Sequence, residues 1–90
     1  MNKVIITVVG KDTVGIIAKV CTYLANNSVN ILDISQTIVD DYFNMMMIVD
    51  SSKSPKTISE ISSELGQIGE EIGCIIQAQN EDIFNSMHRI

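Results

Sequence analysis

Between Lys3 and Val9, apolar and β-branched residues fill both alternating sets, Val4, Ile6 and Val8 on one and Ile5, Thr7 and Val9 on the other. A strand with two apolar faces is a central one, covered on both sides. The period then changes. From Thr13 to Asn27 the apolar positions Ile16, Ile17, Val20, Cys21 and Leu24 recur at spacings of three and four, which predicts an amphipathic helix with Asn26-Asn27-Ser28 as its stop. A second strand begins near Val29. Its expected core face carries Leu32, Ile34 and Ile38, interrupted by Gln36, with Ile31, Asp33, Ser35 and Thr37 on the other. Asp40-Asp41 makes a hairpin into a third strand over Tyr42 to Asp50, where Phe43, Met45, Met47 and Val49 alternate with Tyr42, Asn44, Met46 and Ile48. Three methionines in a row suit an adaptable surface, but unbranched thioethers also fill gaps in an aliphatic core, and core is the reading taken.

The strongest helical signal follows. Ile58, Ile61, Leu65, Ile68 and Ile72 are spaced three and four apart, with Glu60, Glu64, Gln67 and Glu71 facing outward. Ser54 is the expected N-cap with Pro55 in the first turn, and Gly73 the stop. Cys74 to Gln79 reads as a fourth strand, with Ile76 and Ala78 set against Ile75, Gln77 and Gln79. In the last ten residues Ile83, Phe84, Met87 and Ile90 share one helical face, with Glu81 and Asp82 at its start and His88 and Arg89 at its end, charges that complement a helix dipole.

Strand, helix, strand, strand, helix, strand is two right-handed crossover units joined by a hairpin. That order predicts an α+β, ferredoxin-like βαββαβ sandwich: a four-stranded antiparallel sheet ordered 2-3-1-4 with both helices on one face, plus a short C-terminal helix. The expected division is a domain over residues 1–80 and a helical appendix over 81–90. Strand two is an exposed edge and one sheet face lacks a helix, two liabilities that a second copy would cover, so a homodimer is expected, paired by edges or by sheet faces.

Composition narrows the function. Ninety residues with 46% hydrophobic content fit one modest core. Eleven acidic against six basic residues give a net charge of -5, which disfavours direct nucleic-acid or anionic-lipid binding. No signal peptide or run of membrane-spanning length is present, and a cytoplasmic location is expected. Cys21 and Cys74 are expected as buried free thiols, since two distant cysteines without histidine partners give little basis for a metal site or redox pair. His88 is the sole histidine, and no nucleophile, base and orienting acid can be assembled around it, so no catalytic residue, cofactor or metal is expected.

The candidate chemistry lies at the first strand-to-helix turn, Gly10-Lys11-Asp12-Thr13-Val14-Gly15-Ile16. Asp12 or Thr13 can cap the helix. Neither is followed three residues later by Glu or Gln, so some first-turn amides are left for water or a small anion. Together with Val29-Asn30-Ile31-Leu32-Asp33-Ile34-Ser35-Gln36-Thr37 at strand two and the order of elements, this turn resembles the ACT domain over roughly residues 1 to 80. It is most similar to the stand-alone bacterial UPF0237 proteins, whose ending the tail resembles, and also to the ACT parts of formyltetrahydrofolate deformylase and the glycine-cleavage transcriptional repressor. The resemblance implies regulation by a small molecule, typically an amino acid, held between one subunit's turn and its neighbour's strand two, with signalling to a regulated protein partner. It places Asp12, Thr13, Val14 and Gly15 on one wall and Asn30 and Ile31 on the other. The histidine and proline of some amino-acid-binding ACT turns are replaced here by Gly10 and Val14. Each residue also has a structural role open to it: Asp12 as a cap, Gly15 in helix-to-sheet packing, Asn30 in ending a turn. The alternative function is accordingly a ligand-free dimerisation or protein-interaction module.

Overall fold

The computed structural model describes residues 2–11 and 13–87, and for Thr13, Ile83, Phe84 and Met87 the backbone alone. The elements run β1 (Lys3–Gly10), α1 (Thr13–Asn26), β2 (Asn30–Val39), β3 (Tyr42–Asp50), α2 (Ile58–Ile72), β4 (Ile75–Asn80) and α3 (Glu81–Met87). The sheet is four-stranded and ordered β2-β3-β1-β4, with every pairing antiparallel. The ferredoxin-like sandwich expected from the element order is therefore present.

Directly paired residues of neighbouring strands share a face, so the register maps the sheet. On the helix side lie Val4, Ile6 and Val8 of β1, Phe43, Met45, Met47 and Val49 of β3, and Ile76 and Ala78 of β4, all buried. Val20 and Leu24 of α1 and Ile61 and Leu65 of α2 close the same core. On the other face Ile5 pairs with Ile48, Thr7 with Met46 and Val9 with Asn44. Ile5 is only 5% exposed there. The C-terminal helix α3 lies near β1 and β4, and its Glu81 pairs at 4.0 Å with Lys3, which is on the same face as Ile5. Beyond α3 the face opens, leaving Val9 and Met46 exposed. Met46 thus departs from the expected methionine core, because strand alternation turns it away from Met45 and Met47.

Three further expectations are corrected. Leu32, Ile34 and Ile38 do not form a core face: all three are exposed, Ile38 at 70%. The reason is position, since β2 is the edge strand and the helices that bury β1 and β3 barely reach it. The register also slips between Ile31 and Asp33, making Leu32 the extra residue of a β-bulge. At α2 the N-cap is Thr57 and not Ser54. The Thr57 hydroxyl accepts from the Glu60 amide (3.2 Å) and the Glu60 carboxylate accepts from the Thr57 amide (2.9 Å), a reciprocal capping box. Ser54 instead accepts from the Lys56 amide within the preceding loop (3.2 Å). Finally, Cys21 and Cys74 are free but only half-buried, and burial pushes the Cys74 thiol upward in pKa. The expected arrangement of Ile83, Phe84, Met87, His88, Arg89 and Ile90 falls outside the described side chains.

Candidate functional site

The turn from β1 to α1 is shaped by a close approach. A Cβ placed on Gly10 would lie 2.6 Å from the Cys74 Cβ and 2.6 Å from Ile16 Cδ1. Only a glycine lets the end of β1 run this near the start of β4. Val14 projects outward at 78% exposure, whereas Gly15 is half-buried and lines a shallow groove against α2. Asp12 and the Thr13 side chain lie outside the described residues. Lys11, absent from the expected site, stands over the Tyr42 ring with its Nζ 5.2 Å from the ring centroid. This cation–π contact fixes the ammonium on the outer side of the turn.

Asn30 and Ile31 sit elsewhere. Gly10 is opposite Phe43, which is opposite Ile38, so the turn lies at the hairpin end of the sheet. Asn30 is opposite Asp50, and Asp50 is opposite Lys3, so Asn30 lies at the far end. Within one chain the two halves of the expected site are separated by the length of the sheet. Strand alternation sends Asn30 and Ile31, just before the bulge at Leu32, to different faces: Ile31 pairs with Val49 and packs half-buried against the core, while Asn30 stays exposed beside Asp50.

Around Asn30 there is a cavity of about 420 Å³ lined by Ser28, Val29, Asn30, Asp50 and Lys53. Two tight turns build it. One is the end of α1, where Ser28 takes a positive φ of 58° and Val29 donates from its amide to the Leu24 carbonyl (3.0 Å). The other is the loop after β3, where Ser54 donates to the Ser51 carbonyl (3.0 Å), Ser51 donates to the Asn2 carbonyl (3.0 Å) and the Ser52 amide donates to Asp50 Oδ1 (3.0 Å). The Asn2 amide also donates to Asp50 Oδ1 (3.3 Å). These bonds, the Ser52 amide first, hold the Asp50 carboxyl below the usual carboxylate range.

A larger polar hollow of about 560 Å³ lies between the loop after β3, the start of α2 and the start of α3. Its two lysines are spoken for: Lys3 pairs with Glu81 and Lys56 with Glu64. Glu64 also accepts from the Tyr23 hydroxyl (2.7 Å), tying α1 to α2, and burial with that bond raises the Tyr23 pKa. Among the described residues no group of three or more His, Cys, Asp and Glu side chains is gathered closely enough to hold a metal. No described helix is long and apolar enough to cross a membrane.

A four-stranded sandwich with a glycine-bracketed first turn and a bulged, open edge strand defines a small α+β module of the ferredoxin-like class. The ACT domain family model matches residues 2–79, and the chain belongs to that family. It is 60% identical to a UPF0237 protein of Bifidobacterium longum over the full length of both chains. Among solved structures it is similar to an ACT domain protein from Streptococcus pneumoniae, with a TM-score of 0.81 and 41% identity, covering 92% of this chain and 93% of that one. A formyltetrahydrofolate deformylase from Pseudomonas syringae shares the fold, with a TM-score of 0.79 at 22% identity over 89% of this chain and 28% of the deformylase.

Proposed function

We propose that this chain is a cytosolic regulatory module, a homodimer that binds a small molecule such as an amino acid between its subunits and passes the signal to a partner protein. It is a binding protein and not a catalyst. The observation that carries this reading is the register: Gly10 stands at the level of Ile38, and Asn30 at the opposite end of β2. A second copy running antiparallel along β2 brings its own Asn30 and Ile31 to the level of this chain's Ile38 and Val39, and so to the level of its turn. The site of Asp12, Thr13, Val14 and Gly15 on one wall and Asn30 and Ile31 on the other is complete only in such a pair. The unpaired edge of β2, with Leu32, Ile34, Ile38 and Val39 exposed, offers the surface for it. Helix N-terminal amides at the turn suit a carboxylate, and the Asn30 amide both donates and accepts.

Calorimetric titration with the twenty amino acids and a set of folate derivatives tests the reading, alongside light scattering. Saturable binding of at least one compound to a dimer, lost in Asn30→Ala and Asp12→Ala, is expected. A dimer silent across the whole panel would leave the interaction-module reading in its place.

A further inference from the structure

We propose that Asp50 and Lys53, in the cavity beside Asn30, are the specificity-determining residues of the interface site, and that together they select a zwitterion carrying both an ammonium and a carboxylate. The inference rests on the proposed function above and extends it to residues outside the turn and outside Asn30-Ile31.

The geometry is that of a prepared surface. Asp50 is the direct cross-strand neighbour of Asn30, and antiparallel neighbours on one face lie within reach of a single small ligand. Its carboxylate is fixed by the amides of Ser52 and Asn2 and stays ionised across the neutral range because those bonds favour the charged form. Both bonds land on Oδ1, and a carboxylate has lone pairs for further donors, so an ammonium can join them. Lys53 stands at the tip of the turn that Ser54 closes onto Ser51. Among the described residues it forms no ion pair, whereas Lys3 and Lys56 are each matched to a glutamate. One wall of about 420 Å³ therefore presents a fixed anion, an unmatched cation and a primary amide.

That set is complementary to an α-amino acid and unsuited to either half of one. A carboxylate lacking the amine meets Lys53 but also the uncompensated Asp50. An amine lacking the carboxylate meets the reverse. Discrimination of this kind arises from the unpaired charge left in the site as much as from the bond made. The opposite wall, supplied by the second copy's turn, adds helix amides on the carboxylate side.

The test is calorimetry of the dimer with each amino acid that binds and its deaminated counterpart, for example alanine against propionate and aspartate against succinate. Wild type is expected to prefer the amino acid by tenfold or more, in line with a hydrogen bond to a charged group. Asp50→Asn is expected to weaken the amino acid by roughly 10- to 100-fold and to narrow or abolish its advantage over the deaminated compound. Lys53→Met is expected to weaken both compounds, and because Lys53 sits on a solvent-facing turn this variant carries the test even if Asp50→Asn folds poorly. Amino-acid binding by wild type with both variants indistinguishable from it overturns the assignment of Asp50 and Lys53 while sparing the interface site. A wild type silent to all amino acids overturns the site itself and this inference with it.

Discussion

Cys74 passes between two glycines, and this is where a single methyl group is felt most. A Cβ on Gly10 would meet Cys74 Cβ, and a Cβ on Gly69 would come within 2.8 Å of the Cys74 carbonyl oxygen. Neither neighbour is the far end of a flexible side chain, so the backbone has to shift. Gly10→Ala is expected to cost about 1–3 kcal/mol, the usual range for overpacking a close-fitted site. Urea denaturation reads it directly, and a midpoint unchanged from wild type would show that β1 and β4 separate more easily than their contact suggests. Asp50 gives a second prediction at this scale. Its folded-state pKa is lowered, so its stabilising bonds are intact above the unfolded-state value, about 4, and are lost as pH falls further through the folded value. Glu64, lowered chiefly by the Lys56 ammonium, has the same sign. The urea midpoint should therefore drop on acidification below about pH 4, with a shallower drop in Asp50→Asn and in Glu64→Gln.

The elements differ in how far their sequence announced them. In α2 the spacing of Ile58, Ile61, Leu65, Ile68 and Ile72 fixes the helix and its buried face, because a helix laid on a sheet needs one stripe and the stripe is visible in a single chain. Its start is less plain in the sequence. Ser54-Pro55 looks like a cap followed by a first-turn proline, while Thr57 with Glu60 three residues on is a full capping box, and two reciprocal bonds outweigh one. Thr57→Ala should destabilise the fold by about 1 kcal/mol and Thr57→Ser by much less, a difference that thermal melts followed by circular dichroism resolve. A melting temperature unmoved by Thr57→Ala would mean that packing alone holds the first turn. For β2 the alternation of Leu32, Ile34 and Ile38 is real, but alternation reports which residues share a face and not whether anything covers that face. Coverage depends on where the strand falls in the sheet and on the bulge at Leu32, and neither is written in the local pattern. The same limit applies to the site. The turn announces itself through Gly10 and Gly15, whereas Asp50 and Lys53 come together with Asn30 only through the pairing of β2 with β3, separations that no local motif records.

At the scale of the whole molecule, the proposed dimer has two surfaces to form through, and the open edge of β2 is the first. The segment Ser35–Val39 carries no charge and no proline, the usual devices that keep an edge strand from pairing, and it leaves Ile38 and Val39 more than half exposed. The helix-free face is the competing surface: Val9, Met46, Ile75, Val39 and Tyr42 are exposed on it, interleaved with Thr7, Asn44, Ser35 and Thr37. A sheet continued through β2 satisfies the edge amides, which stacking would leave open, so edge pairing should prevail over stacking. Ile38→Lys and Met46→Lys separate the two. Both positions are exposed in the single chain, so neither change should alter its own stability by more than about 0.5 kcal/mol. Ile38→Lys puts an unmatched ammonium into the paired edge, and its mass by light scattering should fall to that of one chain, with loss of the amino-acid binding that needs the second copy's Asn30. Met46→Lys should keep both the dimer and its ligand. The reverse outcome, monomers from Met46→Lys and dimers from Ile38→Lys, would mean that copies stack through their sheet faces, and the turn of one chain would then have no Asn30 within reach.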